Sequence, residues 1–306
     1  MSDRLKDFGK SVDIELPEDL DGVIYRAIER GRLDMRRKKS RVRAFKGAMC
    51  AVFLLAAVFA AGVNTVPAFA EAMEGIQGLA GIVRVLQFDR DRAAGGELTD
   101  GQDIGAVDWE KGGEEESILV SLLAEGSPAG LPGSFEVLKE QYPGRLVLKL
   151  HGVRGISADI TAPENSEYVE DIYRLVTLDD SSQRLVVSFK KAVDYQVAEV
   201  EDPAGILLTI KPAAAESLPE LFSLRTPSLE FGEQVGVWEE VLTWEYGGKD
   251  VRQLKDGQGT FFVEEGLYES EGEALDRLGE LQEMGLDFPL MVEKVDGLYS
   301  REYMGQ

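Results

Sequence analysis

The chain has 306 residues, 44% of them hydrophobic, and a formal net charge of −23, which is enough apolar material for roughly two folded domains and argues against wholesale disorder. Residues 1–46 hold 13 Lys and Arg against 9 Asp and Glu, whereas the rest holds 20 against 47, so the body of the chain repels phosphate backbones and nucleic acid is not expected as a partner. A single cysteine, Cys50, and a single histidine, His151, rule out an intrachain disulfide and a zinc knuckle.

The first element is a short helix. Leu20, Val23, Ile24, Ala27 and Ile28 fall on one helical face, and Pro17, Glu18 and Asp19 suit its first turn. A lone helix of about 15 residues is marginal in water. The stripe Leu20, Val23, Ile24 and Ile28 is therefore a candidate partner-binding face, toward either a soluble protein or the inner leaflet beside the basic cluster. That cluster is Arg32, Arg36, Arg37, Lys38, Lys39, Arg41, Arg43 and Lys46.

Between Lys46 and Glu71 stand 24 residues without a charge. The spacing predicts a transmembrane helix over residues 47–66, richest from Gly47 to Val63, because about 20 apolar residues span the hydrocarbon layer. The basic flank keeps the N-terminus in the cytoplasm and puts the acidic body outside the cell membrane. Two other readings remain open. Ala68-Phe69-Ala70 has the form of a signal-peptidase site, though the polar lead before the apolar stretch is far longer than usual; and an apolar stretch of this kind occasionally serves as a buried helix of a soluble core.

Residues 67–133 read as a juxtamembrane helix followed by an acidic linker. Phe69, Ala72, Met73, Ile76, Ala80, Val83 and Leu86 keep a helical period that Gly75, Gly78 and Gly81 interrupt, and this glycine spacing is not that of a nucleotide loop. Residues 89–117 are rich in Asp, Glu and Gly, and the run Glu114, Glu115 and Glu116 is expected to be solvated.

From residue 134 to 213 the period changes to two. Leu146, Leu148 and Leu150 alternate, as do Leu185, Val187 and Phe189, and then Ile206, Leu208 and Ile210. An antiparallel, β-sandwich-like domain with one wet face follows. From 214 to 306 the order is strand, helix, strand, strand, helix, strand: a βαββαβ, ferredoxin-like arrangement with a capping box at Ser270 and Glu273. The expected class is thus α+β, with one transmembrane helix ahead of two outer domains.

No catalytic constellation emerges. Glu239 with Glu240, and Asp179 with Asp180, are adjacent in sequence and point apart, so neither faces its partner across a cleft. Both pairs read as solvated surface, Trp238 and Trp244 as core, and His151 as an edge or turn residue. No enzyme, cofactor or metal is expected.

Three stretches resemble known families. In residues 15–88, a cytoplasmic helix opening E-L-P-E-x-L, a basic run, one apolar segment and the sequence Asn64, Pro67, Ala68, Phe69, Ala70 resemble the bacterial (Firmicutes-type) anti-sigma-factor-like membrane proteins. That resemblance implies a sigma factor as cytoplasmic partner. The cytoplasmic segment is shorter than the usual multi-helix anti-sigma domain. Residues 145–212 look like the small β-domain of amidase-associated envelope proteins, through Gln183-Arg-Leu-Val-Val187 and Val200-Glu-Asp-Pro203. Residues 220–296 are similar to the sporulation-related repeat, with Phe261-Phe-Val-Glu-Glu-Gly-Leu-Tyr268 at its strand motif and Ala274 in the following helix. This implies a peptidoglycan-binding sheet at Phe261, Phe262 and Glu264, where the acidic Glu264 replaces the family's glutamine and would repel anionic wall material. Two functions stand: a single-pass membrane regulator or sensor coupling the envelope to a cytoplasmic partner, and a tethered structural envelope protein binding peptidoglycan or another envelope protein.

Overall fold

Alternating apolar residues bury one face of each strand, and two such faces stacked on each other form a sandwich. The computed structural model describes residues 82–86 and 91–297, apart from 202, 215, 216 and 218. Its larger sheet runs in the order β1 (Ile82–Leu86), β11 (Val193–Val200), β12 (Gly205–Pro212), β4 (Glu115–Ala124), β3 (Gln102–Gly112) and β8 (Val153–Ile156), with the short β5 (Ser127–Pro128) also paired to β4. The second sheet runs β2 (Arg92–Gly95), β6 (Phe135–Glu140), β7 (Arg145–His151), β10 (Ser182–Phe189) and β9 (Val169–Leu175). Neighbours are antiparallel throughout, except that β3 and β8 are parallel. Ile118, Val120, Leu122, Ile206 and Leu208 of the larger sheet share one core with Leu146, Leu148, Leu150, Leu185 and Val187 of the second, all at 0% exposure. Each such side chain contributes roughly 1.5–3 kcal/mol on burial.

The C-terminal module follows the chain order β13 (Phe222–Arg225), α1 (Glu233–Glu240) extended by a turn of π-helix over Val241–Glu245, β14 (Arg252–Lys255), β15 (Phe261–Tyr268), α2 (Glu271–Glu283) and β16 (Met291–Lys294). Its four-stranded antiparallel sheet is ordered β14, β15, β13, β16. Ser270 opens α2, its Oγ accepting from the Glu273 N–H at 3.3 Å. The α2 helix packs on β13, β15 and β16, and α1 on β14 and β15.

The alternation inside the second sheet also places Val147, Tyr173, Leu175 and Val186 on its outer face. These meet Val235, Leu242, Phe261 and Val263 of the module in a second apolar cluster. The face expected to be wet is therefore covered, which makes the module a third layer.

The expected α+β class is corrected. Strand accounts for 48% of the structure and helix for 13%, and the chain is predominantly β. The last part of the helix expected to run to Leu86 is strand instead, because Ile82–Leu86 pairs with β11, and the earlier part lies outside the described residues. The expected acidic linker instead supplies β2, β3 and the start of β4. Its acids ride on a long β3–β4 hairpin, while widely spaced Ile104, Val107 and Trp109 pack on the core. Among the described residues no helix is long and apolar enough to cross a membrane. The expected transmembrane helix over 47–66 and the stripe Leu20, Val23, Ile24 and Ile28 lie outside the described residues.

Candidate functional site

Where the sandwich meets the module, β9 forms the outer strand of its sheet, and the turn between β14 and β15 comes up against it. Two features of sequence shape this junction. Glu170 is an extra residue in β9, since Phe189 pairs with Val169 and Ser188 with Asp171; such a bulge bends an edge strand and blunts it against further pairing. In the turn, Asp256 accepts from the backbone N–H groups of Gln258 and Thr260, each at 3.0 Å, and from Thr260 Oγ1 at 2.6 Å. That carboxylate sets the loop Gly257–Gly259 and, with it, the positions of Lys255 and Phe261.

Polar clamps hold the junction. Arg184 grips Glu239 through two parallel bonds of 2.7 and 2.6 Å. Buried Gln253 accepts from Val176 N–H at 3.0 Å and donates to Val176 O at 2.9 Å and to Glu239 Oε2 at 2.7 Å. Arg252 donates to the carbonyls of Gln141 and Tyr142, both at 2.9 Å. Lys255 Nζ pairs with Asp171 Oδ2 at 2.6 Å. Burial pushes the Glu140 carboxyl up, but the charges and hydrogen bonds of Arg145 and Arg252 outweigh that and hold it below the usual range.

Two cavities open beside the Lys255–Asp171 pair, of about 500 and 390 Å3. They share Asp171, Tyr173, Lys255 and Gly259 and so adjoin, as the two parts of a trough with the Lys255–Asp171 pair where they meet. Each is within the roughly 300–1,000 Å3 of small-ligand sites. The first end is walled by Ile156, Ala158 and Ile160 and by an aromatic row: Tyr173 meets Phe261 edge-on at 6.0 Å, and Phe261 meets Phe231 edge-on at 5.3 Å. Arg174 lies 4.7 Å over the Phe231 ring. The other end is lined by Pro143, Ser188, Glu170 and Asp256. Burial, with the charge of Asp171 added, pushes the Glu170 carboxyl up, and Lys190 compensates only in part.

No family model, no curated protein and no solved structure matches this chain.

The residues singled out in the sequence are dispersed. Phe261, Phe262 and Glu264, expected as an exposed glycan-binding sheet, are 5%, 1% and 0% exposed. Phe261 packs into the junction and Phe262 lies under the Arg225 guanidinium at 4.3 Å. Glu264 accepts from Ser223 Oγ at 2.5 Å and Arg252 Nε at 2.7 Å. These three therefore present no stacking platform to solvent. Of the two acidic pairs, Glu239 is a junction clamp rather than solvated surface, and Asp179 caps the turn to β10 by accepting from Ser181 and Ser182. Trp238 stacks on Phe288 at 5.0 Å, whereas Trp244, expected in the core, is 80% exposed. Among the described residues no group of three His, Cys, Asp or Glu could hold a metal ion.

Sequence reasoning missed Arg174, Phe231, Asp171 and Lys255. Only Glu170-Asp171, an acidic pair in the strand Val169–Leu175, carried a local signal.

Proposed function

We propose that this chain is a single-pass membrane regulator. Its acidic body, outside the cell, detects an envelope state, and its short basic segment holds a cytoplasmic partner. The observation that carries the reading is the charge partition around the uncharged residues 47–70: 13 basic against 9 acidic side chains before it, 20 against 47 after it. The outer trough adds a place where a ligand would touch the sandwich and the module at once, so that occupancy bears on both. On the inner side, Leu20, Val23, Ile24 and Ile28 supply a helix-in-groove contact, and the resemblance to anti-sigma-like proteins nominates a sigma factor.

The wall-tether alternative is weakened by the burial of Phe261, Phe262 and Glu264. The test is co-purification of a sigma factor with the full chain extracted from membranes. The regulator reading expects such a complex, lost in the L20D/I24D double variant. Recovery of the chain from membranes with no sigma factor attached would contradict it.

A further inference from the structure

The trough is bipolar. At one end Arg174 is exposed on Phe231, and among the described residues no carboxylate pairs with it. Its guanidinium thus lines the cavity and donates no hydrogen bond among the described residues, in a chain that is otherwise strongly acidic. At the other end Glu170 lines the cavity and forms no ion pair among the described residues. The neighbouring acids are already spent: Asp256 on its own turn, Asp171 on Lys255. Beside Arg174 the surface is aromatic and aliphatic, from Phe231 and Ile160, and between the ends stand Tyr173 and the closed Lys255–Asp171 pair.

We propose that this trough binds a short zwitterionic peptide, its carboxylate toward Arg174, its ammonium toward Glu170 and an apolar side chain against Phe231 and Ile160. Arg174 has no carboxylate partner among the described residues, Lys190 compensates Glu170 only in part, and the apolar walls beside Arg174 suit a hydrophobic side chain. The bulge in β9 speaks against a longer strand adding to the sheet edge, so a ligand of a few residues is favoured over an extended protein segment. The inference rests on the outer unit being the sensing part. It does not depend on the cytoplasmic partner.

The experiment uses the full chain in detergent and calorimetric titration with a tetrapeptide library, Ala-Xaa-Xaa-Ala with free termini and apolar middle positions. The expected result is a member that binds, weakened about 10–100-fold by N-acetylation and likewise by C-terminal amidation, the range for losing one charged hydrogen bond. In R174Q the free acid and the amide should bind alike, and in E170Q the free amine and the acetylated form should. Both residues are on the surface, and unchanged melting temperatures show the variants folded. The proposal is overturned if no member binds below about 1 mM, or if the blocked peptides bind as well as the free ones. It is equally overturned if the two variants leave those preferences intact. Because the titration reads neither topology nor sigma-factor binding, failure here is distinct from failure of the regulator reading.

Discussion

Glu116 is fully buried and held by three neutral donors: Trp109 Nε1 at 3.1 Å, Glu167 N–H at 2.6 Å, and the Ser166 hydroxyl. It ties the β3–β4 hairpin to the loop that leads into β9. Replacing it by Gln keeps the shape but turns an NH2 group toward donors. E116Q is expected to lose on the order of 1–3 kcal/mol of stability, read from urea denaturation. Gly152 is a second such point. Its φ of +71° suits glycine, and an added Cβ would fall 1.9 Å from the Thr99 carbonyl oxygen. G152A should therefore cost on the order of 2–4 kcal/mol, visible as a fall in melting temperature. Neither role was legible locally. Glu116 reads as the end of a solvated acidic run, and the residues that bury it come about fifty positions later in the chain.

At the scale of elements, the junction of sandwich and module is held mainly by apolar contact, since several buried side chains at roughly 1.5–3 kcal/mol each exceed what partly exposed ion pairs supply. The pairs set its register. A double-mutant cycle of R184A and E239A is expected to give a coupling of about 1–3 kcal/mol, and a coupling near zero would remove the clamp from the account. Acid should loosen the same junction. The Glu140 carboxyl is depressed in the folded state, so its stabilisation is complete above the ordinary glutamate range and is lost as pH falls through the lowered folded value. From about pH 4 downward the wild type should lose urea resistance. E140Q should start weaker at neutral pH and lack that component. Strands with strict alternation, such as that of Leu146, Leu148 and Leu150, were plain in the sequence, as was the Ser270 cap. Strand β3 was not, because its apolar residues are sparse and its identity depends on the partner strands beside it.

For the whole molecule, the sandwich and the module fall within one compact unit, in which the module closes a sheet face that sequence periodicity alone left open to water. Periodicity reports that a strand has an outer face. It does not report what covers that face, and this is why the trough, built from β9, the β14–β15 turn and Phe231, was not visible in the sequence. The proposed topology is two-sided, with the basic lead within the cell and the acidic body outside. With the sole cysteine replaced (C50A), single cysteines at Ser2 and at exposed Asp194 are probed in intact cells by a membrane-impermeant maleimide. The account predicts that D194C labels at once and S2C only after permeabilisation. Equal labelling of both, or full-length protein recovered free of membranes, would contradict it.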